Sequence, residues 1–411
     1  MSFVQTEMSV LILLVRTKLR EPFVNCTLYI VNCTLSKFFL IAGEASGDLH
    51  AAALIEQLLR LDPEAQCAGL GGDKMAAAGC RLYQHIRQMA FMGFAAVLAN
   101  LGQIRRNFRI AQQALLDEKP DALILIDYPS FNLRIAKFCR THLPKTKIYY
   151  YIPPKVWAWK KRRIHQIAAL CDEVLGIFPF EPAFYAQYGY SCTYVGNPTA
   201  EEILQRSGLT AKRSNSETVL QRSGLNSIAI LPGSRPSEIS HCLTKMLDAA
   251  RQYPDYRIVV CAAPGIDDAF YAPYLREGET LTRDTYSAVQ QAAAAVVNSG
   301  TATLETALIG CPQVAVYHLA LSPLIGLIRW AQPLVFSIPY FTLVNIIAGK
   351  QVIRECVAND FKTKKVAAEL GRLLTDEAYQ KNMLASYEHI RSLLGTQPAA
   401  ATAASIITSK P

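Results

Sequence analysis

The chain has 411 residues, with 42 Lys and Arg against 33 Asp and Glu, for a net charge of +9. Of these residues 51% are apolar and only 18% are charged, where about 25% is usual in soluble domains, and mean hydropathy is +0.15. This balance excludes wholesale disorder and, at about 150 residues per domain, predicts two or three domains.

Residues 1–36 read as an atypical extension, carrying the duplicated pentapeptide Val24–Leu28 and Val31–Leu35. The apolar run Ser9–Val15 breaks at Arg16 and lacks a basic leader or cleavage pattern, so neither a signal peptide nor a membrane span is expected. From Lys37 the pattern becomes regular. Phe38–Ala42 reads as a buried strand and Leu49–Leu61 as an amphipathic helix, and the strand-length runs Ala122–Ile126, Ile148–Ile152 and Glu173–Ile177 follow between helical stretches. Strands alternating with helices imply crossover connections and a parallel sheet. The polar stretch 201–227, with Leu204–Leu209 echoed by Leu220–Leu225, reads as a linker or insertion. Ile228–Leu231, Tyr256–Val260, Ala295–Val297 and Gln313–Val316 then begin a second strand–helix series. The expected architecture is α/β, two tandem Rossmann-like doubly wound domains with a ligand cleft between them. The domains run over 37–197 and 227–375, joined by 198–226 and followed by a C-terminal helical segment and tail over 376–411.

The eleven cysteines are odd in number, scattered, and include no C-x-x-C pair. Reduced thiols in a cytoplasmic chain are expected, without a disulfide framework or zinc knuckle. The basic clusters, Arg105-Arg106 with Arg109 and Lys160–Arg163, are short. They lack the dense stripes with aromatic platforms of nucleic-acid modules, so no nucleic acid is expected.

Several strand-to-helix turns can carry chemistry. Gly43-Glu44-Ala45-Ser46-Gly47-Asp48 follows the first strand; it can present backbone N–H groups to an anion, or be a tight turn with Asp48 as a cap. Leu231-Pro232-Gly233-Ser234-Arg235 is its counterpart in the second series, with Ser234 offering a hydroxyl and Arg235 a planar cation for phosphate oxygens. Asn298–Glu305 opens a helix near Thr301, whose free amides and hydroxyls can hold a diphosphate. There Glu305 is either a partner for a ribose diol or part of a capping box. No D-x-D triplet occurs, so no metal ion and no cofactor are expected. Asp127, at the carboxyl end of a strand, is a candidate general base or a loop cap, and His50 is a second acid/base candidate. The segment holding Phe91, Met92, Phe94 and Leu98, followed by Arg105 and Arg106, reads either as an interfacial helix on anionic lipid or as a core helix with a charged end.

The ordered set of segments resembles the lipid-A-disaccharide synthase family of bacterial glycosyltransferases. The matches are Gly43–His50, Tyr150–Trp159, Ile177–Glu181, Val195–Pro198, Leu231–Arg235, Ser299–Glu305 and Asn345–Gly349, spread over about 37–375. The resemblance implies a glycosyltransferase-B fold and an inverting transfer of 2,3-diacylglucosamine from its UDP derivative to 2,3-diacylglucosamine 1-phosphate, giving a β-1,6 disaccharide and UDP. It assigns UDP binding to Ser234, Arg235, Thr301, Glu305 and Asn345, and the donor/acceptor loop to Glu44, Ser46, Gly47 and Asp48. It also implies Asp127 as base, Phe91–Leu98 as a membrane-facing patch and peripheral attachment to the inner membrane; a homodimer is one of the oligomeric states the sequence leaves open. Two departures stand out: Ser130 replaces the second Asp of the family's Asp-Ala-Pro-Asp-Phe-Asn, and Ile353–Ala358 lacks the usual Gln. Two rival readings share the fold, a UDP-N-acetylglucosamine 2-epimerase and a peripheral membrane protein without turnover.

Overall fold

The computed structural model describes residues 36–89, 101–158, 161–207, 225–298, 300–318 and 340–409. Two parallel sheets organise it. The first holds β1 (Lys37–Ala42), β2 (Gln66–Gly71), β3 (Arg81–His85), β4 (Ala122–Ile126), β5 (Lys147–Tyr151), β6 (Glu173–Gly176) and β7 (Thr193–Tyr194), in the order β3-β2-β1-β4-β5-β6-β7. The second holds β8 (Ser227–Leu231), β9 (Arg257–Cys261), β10 (Thr280–Thr282), β11 (Ala294–Asn298), β12 (Gln313–Tyr317) and β13 (Glu355–Val357), in the order β10-β9-β8-β11-β12-β13. Strand order reverses between β1 and β4 and again between β8 and β11. At such switch points the adjoining loops part to opposite faces and leave a crevice at the carboxyl ends of the strands.

The helices of the first half are α1 (Ala45–Leu61), α2 (Asp73–Ala77), α3 (Leu101–Glu118), α4 (Pro129–His142), α5 (Arg163–Leu170), α6 (Glu181–Ala186) and α7 (Pro198–Ser207). Those of the second are α8 (Pro236–Ala250), α9 (Asp268–Tyr271), α10 (Thr285–Gln290), α11 (Thr301–Ile309), α12 (Leu343–Ala348), α13 (Thr363–Thr375), α14 (Glu377–Leu394) and α15 (Ala399–Ser409). Both faces of each sheet are covered, so central strands such as β1 and β4 are buried along nearly their whole length and read as unbroken apolar runs.

Five strands were not expected: β2, β3, β7, β10 and β13. β2 is Gln-Cys-Ala-Gly-Leu-Gly, a composition that resembles a turn. The glycine is there because a Cβ on Gly69 would overlap the carbonyl of Leu40 on β1. The others are two to five residues long, at or next to the sheet edges, and only partly apolar.

The expected linker begins as an ordered helix. α7 packs against α11 and α15, and residues 208–224 of that stretch lie outside the described residues. The C-terminal segment returns to the first sheet. Ala403, Ala404 and Ile407 of α15 share a core with Phe38, Leu40, Leu54 and Leu58. Backbone contacts hold the return: Tyr194 Oη donates to the Leu394 carbonyl at 2.6 Å, and the Ala399 N–H donates to Glu201 Oε2 at 3.0 Å.

Candidate active site

β4 ends in an unusual turn. Asp127 and Tyr128 both have positive φ, +44° and +48°, a region that costs non-glycine residues about 1–3 kcal/mol each. Surrounding bonds hold the turn in place. The Asp127 N–H donates to the Ile152 carbonyl at 3.2 Å, while Tyr150 Oη and Asn132 Nδ2 donate to the Asp127 carbonyl at 2.8 and 2.7 Å. Tyr128 Oη donates to the Met89 carbonyl at 2.9 Å. A Cβ on Gly43 would overlap the Tyr128 ring. That glycine therefore admits the tyrosine that completes the strained turn.

Charges alternate around this turn. Burial pushes the Asp127 carboxyl above the usual carboxylate range, and the Lys155 ammonium opposes the shift. Lys155 is open to the cleft yet crowded by protein; that crowding lowers its own pKa against the pull of Asp127 and Glu181. Glu44, at the start of α1, is raised first by burial and then by the Asp127 charge, and is lowered by Arg235. Arg235 belongs to the second sheet, so the β1, β4 and β8 loops meet in one electrostatic field. Lys155 was not singled out in the sequence. Its signal was available, a lysine in the loop leaving the carboxyl end of β5.

Glu181 anchors that loop. Its buried carboxylate accepts from the Ile177 and Phe178 N–H groups at 2.8 and 2.9 Å and from Trp157 Nε1 at 3.2 Å. Burial drives its pKa up to about 7 against those bonds. The Ile177–Glu181 and Tyr150–Trp159 segments thus form one structural buckle.

In the second sheet, Gly233 has φ +117°, and a Cβ there would come within 2.6 Å of Asn298 Nδ2 and 2.9 Å of Glu238 Oε2. Asn298 Nδ2 donates to the Pro232 carbonyl at 3.1 Å, tying the β8 and β11 loops together. The exposed Ser234 donates its N–H to Glu238 Oε2 at 3.3 Å, and the half-exposed Arg235 meets Glu238 Oε1 at 3.2 Å. α11 starts at Thr301, which is exposed, and no side chain caps it; its first N–H groups and the helix dipole favour an anion. A cavity of about 150 Å³ lined by Lys155, Trp157, Gly300 and Phe341 joins that helix start to the β5 loop. A second, of about 290 Å³, is lined by Glu305, Thr306, Glu202, Arg206, Leu231 and Arg283. Burial raises the Glu305 carboxyl, Glu202 adds to this and Arg206 opposes it. The Thr306 hydroxyl beside it is buried without a hydrogen-bond partner. His50 lies on this side as well: burial lowers its pKa and Glu202 opposes the shift.

Other expected residues fall elsewhere. Asn345 is fully buried, with its amide engaged at both ends. Oδ1 accepts from the Val352 and Ile353 N–H groups at 2.7 and 3.0 Å, and Nδ2 donates to the Ile353 carbonyl and Glu355 Oε1, both at 2.9 Å. It staples the loop after α12 and does not face the cleft as a UDP ligand would. Gly47 and Asp48 are also interior. Gly47 packs on Ala42 and Ile126. The Asp48 carboxylate accepts from the N–H groups of Gly72, Lys74 and Met75 at 2.7, 3.1 and 3.1 Å, so it caps α2 and not a ligand. Of the four residues expected in that loop's site, Glu44 and the exposed Ser46 are the ones left facing outward. Arg105 and Arg106 are exposed on α3, whereas Phe91, Met92, Phe94 and Leu98 lie outside the described residues. Ser130 accepts from Arg163 Nη2 at 3.1 Å, and Ala358 sits at φ +53°.

Known proteins resemble this chain in sequence and in fold. The family model for lipid-A-disaccharide synthetase matches residues 38–407. The lipid-A-disaccharide synthase of Geobacter sulfurreducens is 35% identical over 371 residues, covering 88% of this chain and 94% of that protein. Among solved structures, the UDP-GlcNAc 2-epimerase from Neisseria meningitidis bound to UDP-GlcNAc superposes with a TM-score of 0.58 at 10% identity, covering 91% of this chain and 98% of that one. The glycosyltransferase of kitacinnamycin does so with a TM-score of 0.58 at 13% identity, covering 91% and 99%. Those two likenesses establish the two-domain glycosyltransferase-B fold, and the match along the whole described length places this chain in the lipid-A-disaccharide synthetase family.

Proposed function

We propose that this chain forms the lipid A disaccharide, moving 2,3-diacylglucosamine from UDP to 2,3-diacylglucosamine 1-phosphate and releasing UDP. The observation that carries the reading is the meeting of Asp127, Glu44, Lys155 and Arg235 between the two switch points. An acid and a cation drawn from opposite sheets suit a reaction in which one substrate loses a proton while the other departs as a diphosphate.

In this reading, Ser234, Arg235 and the uncapped start of α11 at Thr301 hold the diphosphate, with charge-assisted hydrogen bonds supplying the affinity. The cavity beside Glu305 takes the nucleoside, its carboxylate accepting from the ribose diol. Lys155, across the cavity from Gly300, offsets negative charge building on the leaving phosphate. Asp127 takes the proton from the attacking 6-hydroxyl. Its raised pKa brings it nearer the working pH, where a general base is most effective. An α-linked donor and a β product require inversion, hence direct displacement with one base. His50 is the weaker candidate because it looks toward Glu202 and not toward Asp127. Exposed Arg105 and Arg106, downstream of the apolar segment 91–98, would favour an anionic membrane surface, where the lipid substrates reside.

The test is to incubate purified protein with the UDP-diacylglucosamine donor, with and without the acceptor, and to follow UDP and disaccharide by mass spectrometry. Acceptor-dependent disaccharide is the expected result. Turnover of plain UDP-N-acetylglucosamine without acceptor would instead support the epimerase reading. Arg235→Ala should weaken UDP by about 1.5–3 kcal/mol, the worth of a hydrogen bond to a charged group; calorimetric titration showing unchanged affinity would remove Arg235 from the diphosphate site.

A further inference from the structure

A groove of about 460 Å³ runs between α4 and α5, apart from the cluster of Asp127, Glu44, Lys155 and Arg235. Ser130 and Arg163 stand near its upper end, Arg134 and Lys137 follow along α4, and Leu133 and Leu170 contribute apolar surface. No carboxylate lines it among the described residues. Among the described residues, none of its three cations is ion-paired, whereas Arg87, Arg140, Arg251 and Arg283 each meet a carboxylate. Arg163 Nη2 donates to the Ser130 hydroxyl, which leaves the remaining guanidinium donors open. The Arg134 guanidinium lies 5.2 Å from the centroid of the Phe108 ring, an arrangement that positions the cation without neutralising it. Unpaired like charges along one concave wall raise the positive potential there, and the planar fork of arginine matches phosphate oxygens.

The location is as informative as the charge. α4 starts two residues after Asp127, so the groove begins at the carboxyl edge of the sheet, beside the base. At 1.5 Å per residue, Arg134 and Lys137 lie roughly 6 and 10 Å beyond Ser130 along the helix. A hexose carries its 6-hydroxymethyl group on C5 and its anomeric phosphate on C1, the two carbons that flank the ring oxygen, so both groups leave the same edge of the ring. A sugar whose 6-hydroxyl meets Asp127 can therefore place its phosphate at the start of this groove, beside Ser130 and Arg163, with Arg134 and Lys137 next along α4.

We propose that the groove is the subsite for the phosphate monoester of the lipid acceptor, with Arg134, Lys137 and Arg163 as its ligands. The assignment rests on the transfer reading above and deepens it: these residues set the preference for a phosphorylated acceptor. The shared chemistry is an anionic phosphate, which a membrane phospholipid headgroup also offers, and the experiment separates the two.

Equilibrium binding of 2,3-diacylglucosamine 1-phosphate and of its dephosphorylated counterpart is measured in neutral detergent micelles, using the full-length chain. The unaltered protein should prefer the phosphorylated lipid by about tenfold or more, the lower bound for a charge-assisted contact. In R134Q/R163Q that preference should largely vanish, with UDP affinity and the thermal unfolding midpoint unchanged. R134K/R163K, which keeps the charge, should retain part of it. No preference in the unaltered protein, or one that survives in R134Q/R163Q, overturns the proposal. So does loss of binding to phosphatidylglycerol vesicles with the phosphate preference intact, which would give the groove to membrane headgroups. Disaccharide formation is assayed separately. Selective binding through these arginines without any disaccharide would sink the transfer reading and leave the groove assigned, while disaccharide formation with an unchanged preference in R134Q/R163Q would sink the groove alone.

Discussion

Asp127 shows how one residue joins strain, burial and chemistry. Its folded pKa is raised above the unfolded value, chiefly by burial. As pH climbs from the ordinary carboxylate range through the raised value, the unfolded chain gives up its proton first, so stability falls over that window. At neutral pH the buried charge is thus a cost to the fold. Asp127→Asn keeps the shape and tolerates positive φ, so it should raise the thermal unfolding midpoint at neutral pH. The same change should lower turnover by roughly 10²-fold or more and leave UDP binding intact. Near-wild-type turnover would remove Asp127 from the role of base. Beside its part at the leaving phosphate, Lys155 also tunes this residue. Without its ammonium the Asp127 carboxyl rises further, so Lys155→Met should move the acid limb of the kcat/KM profile to higher pH, and Lys155→Arg should hold it near its original place. A limb that does not move in the methionine variant would mean the two charges do not communicate.

At the scale of the element, the segments readable in sequence were the ones buried on both faces. β1, β4, β5, β8 and β11 are runs of five or six residues whose apolar character survives any register. β2 escaped notice because Gly69 answers to the neighbouring backbone of Leu40 and Gly71 to the Met75 side chain, and that pressure leaves no periodic trace. The Asn345–Gly349 segment was legible as a motif, but its role was not. The Asn345 amide is matched to the backbone of Val352 and Ile353 and to Glu355, partners that exist only once the loop folds back on α12. Asn345→Ala should therefore cost about 1–3 kcal/mol for each buried group left unsatisfied, measured by urea unfolding, and leave the UDP affinity of the folded protein unchanged. A selective loss of UDP affinity with normal stability would return Asn345 to the nucleotide site.

Across the described residues as a whole, the C-terminal helix returns to the half that holds β1. α15 completes the core over α1 and β1, so the first half's core needs residues that follow the whole second sheet in the chain. Truncation after Pro398 should lower the unfolding midpoint and abolish disaccharide formation before it weakens UDP binding, because the nucleotide loops belong to the second sheet. Equal loss of both would mean that the halves do not fold separately. The eight apolar strands, the two strand–helix series and the loops at the ends of those strands were determined by the sequence alone, since they follow from local apolar runs and the turns between them. Which polar side chains stay free was decided only by the tertiary structure. Asp48 and Asn345 are engaged by the fold, Lys155 is brought into the charge cluster, and the cations of the α4–α5 groove lack carboxylates. The physical reason is that a buried polar group must find a partner, and here the partners lie one loop or a whole domain away along the chain.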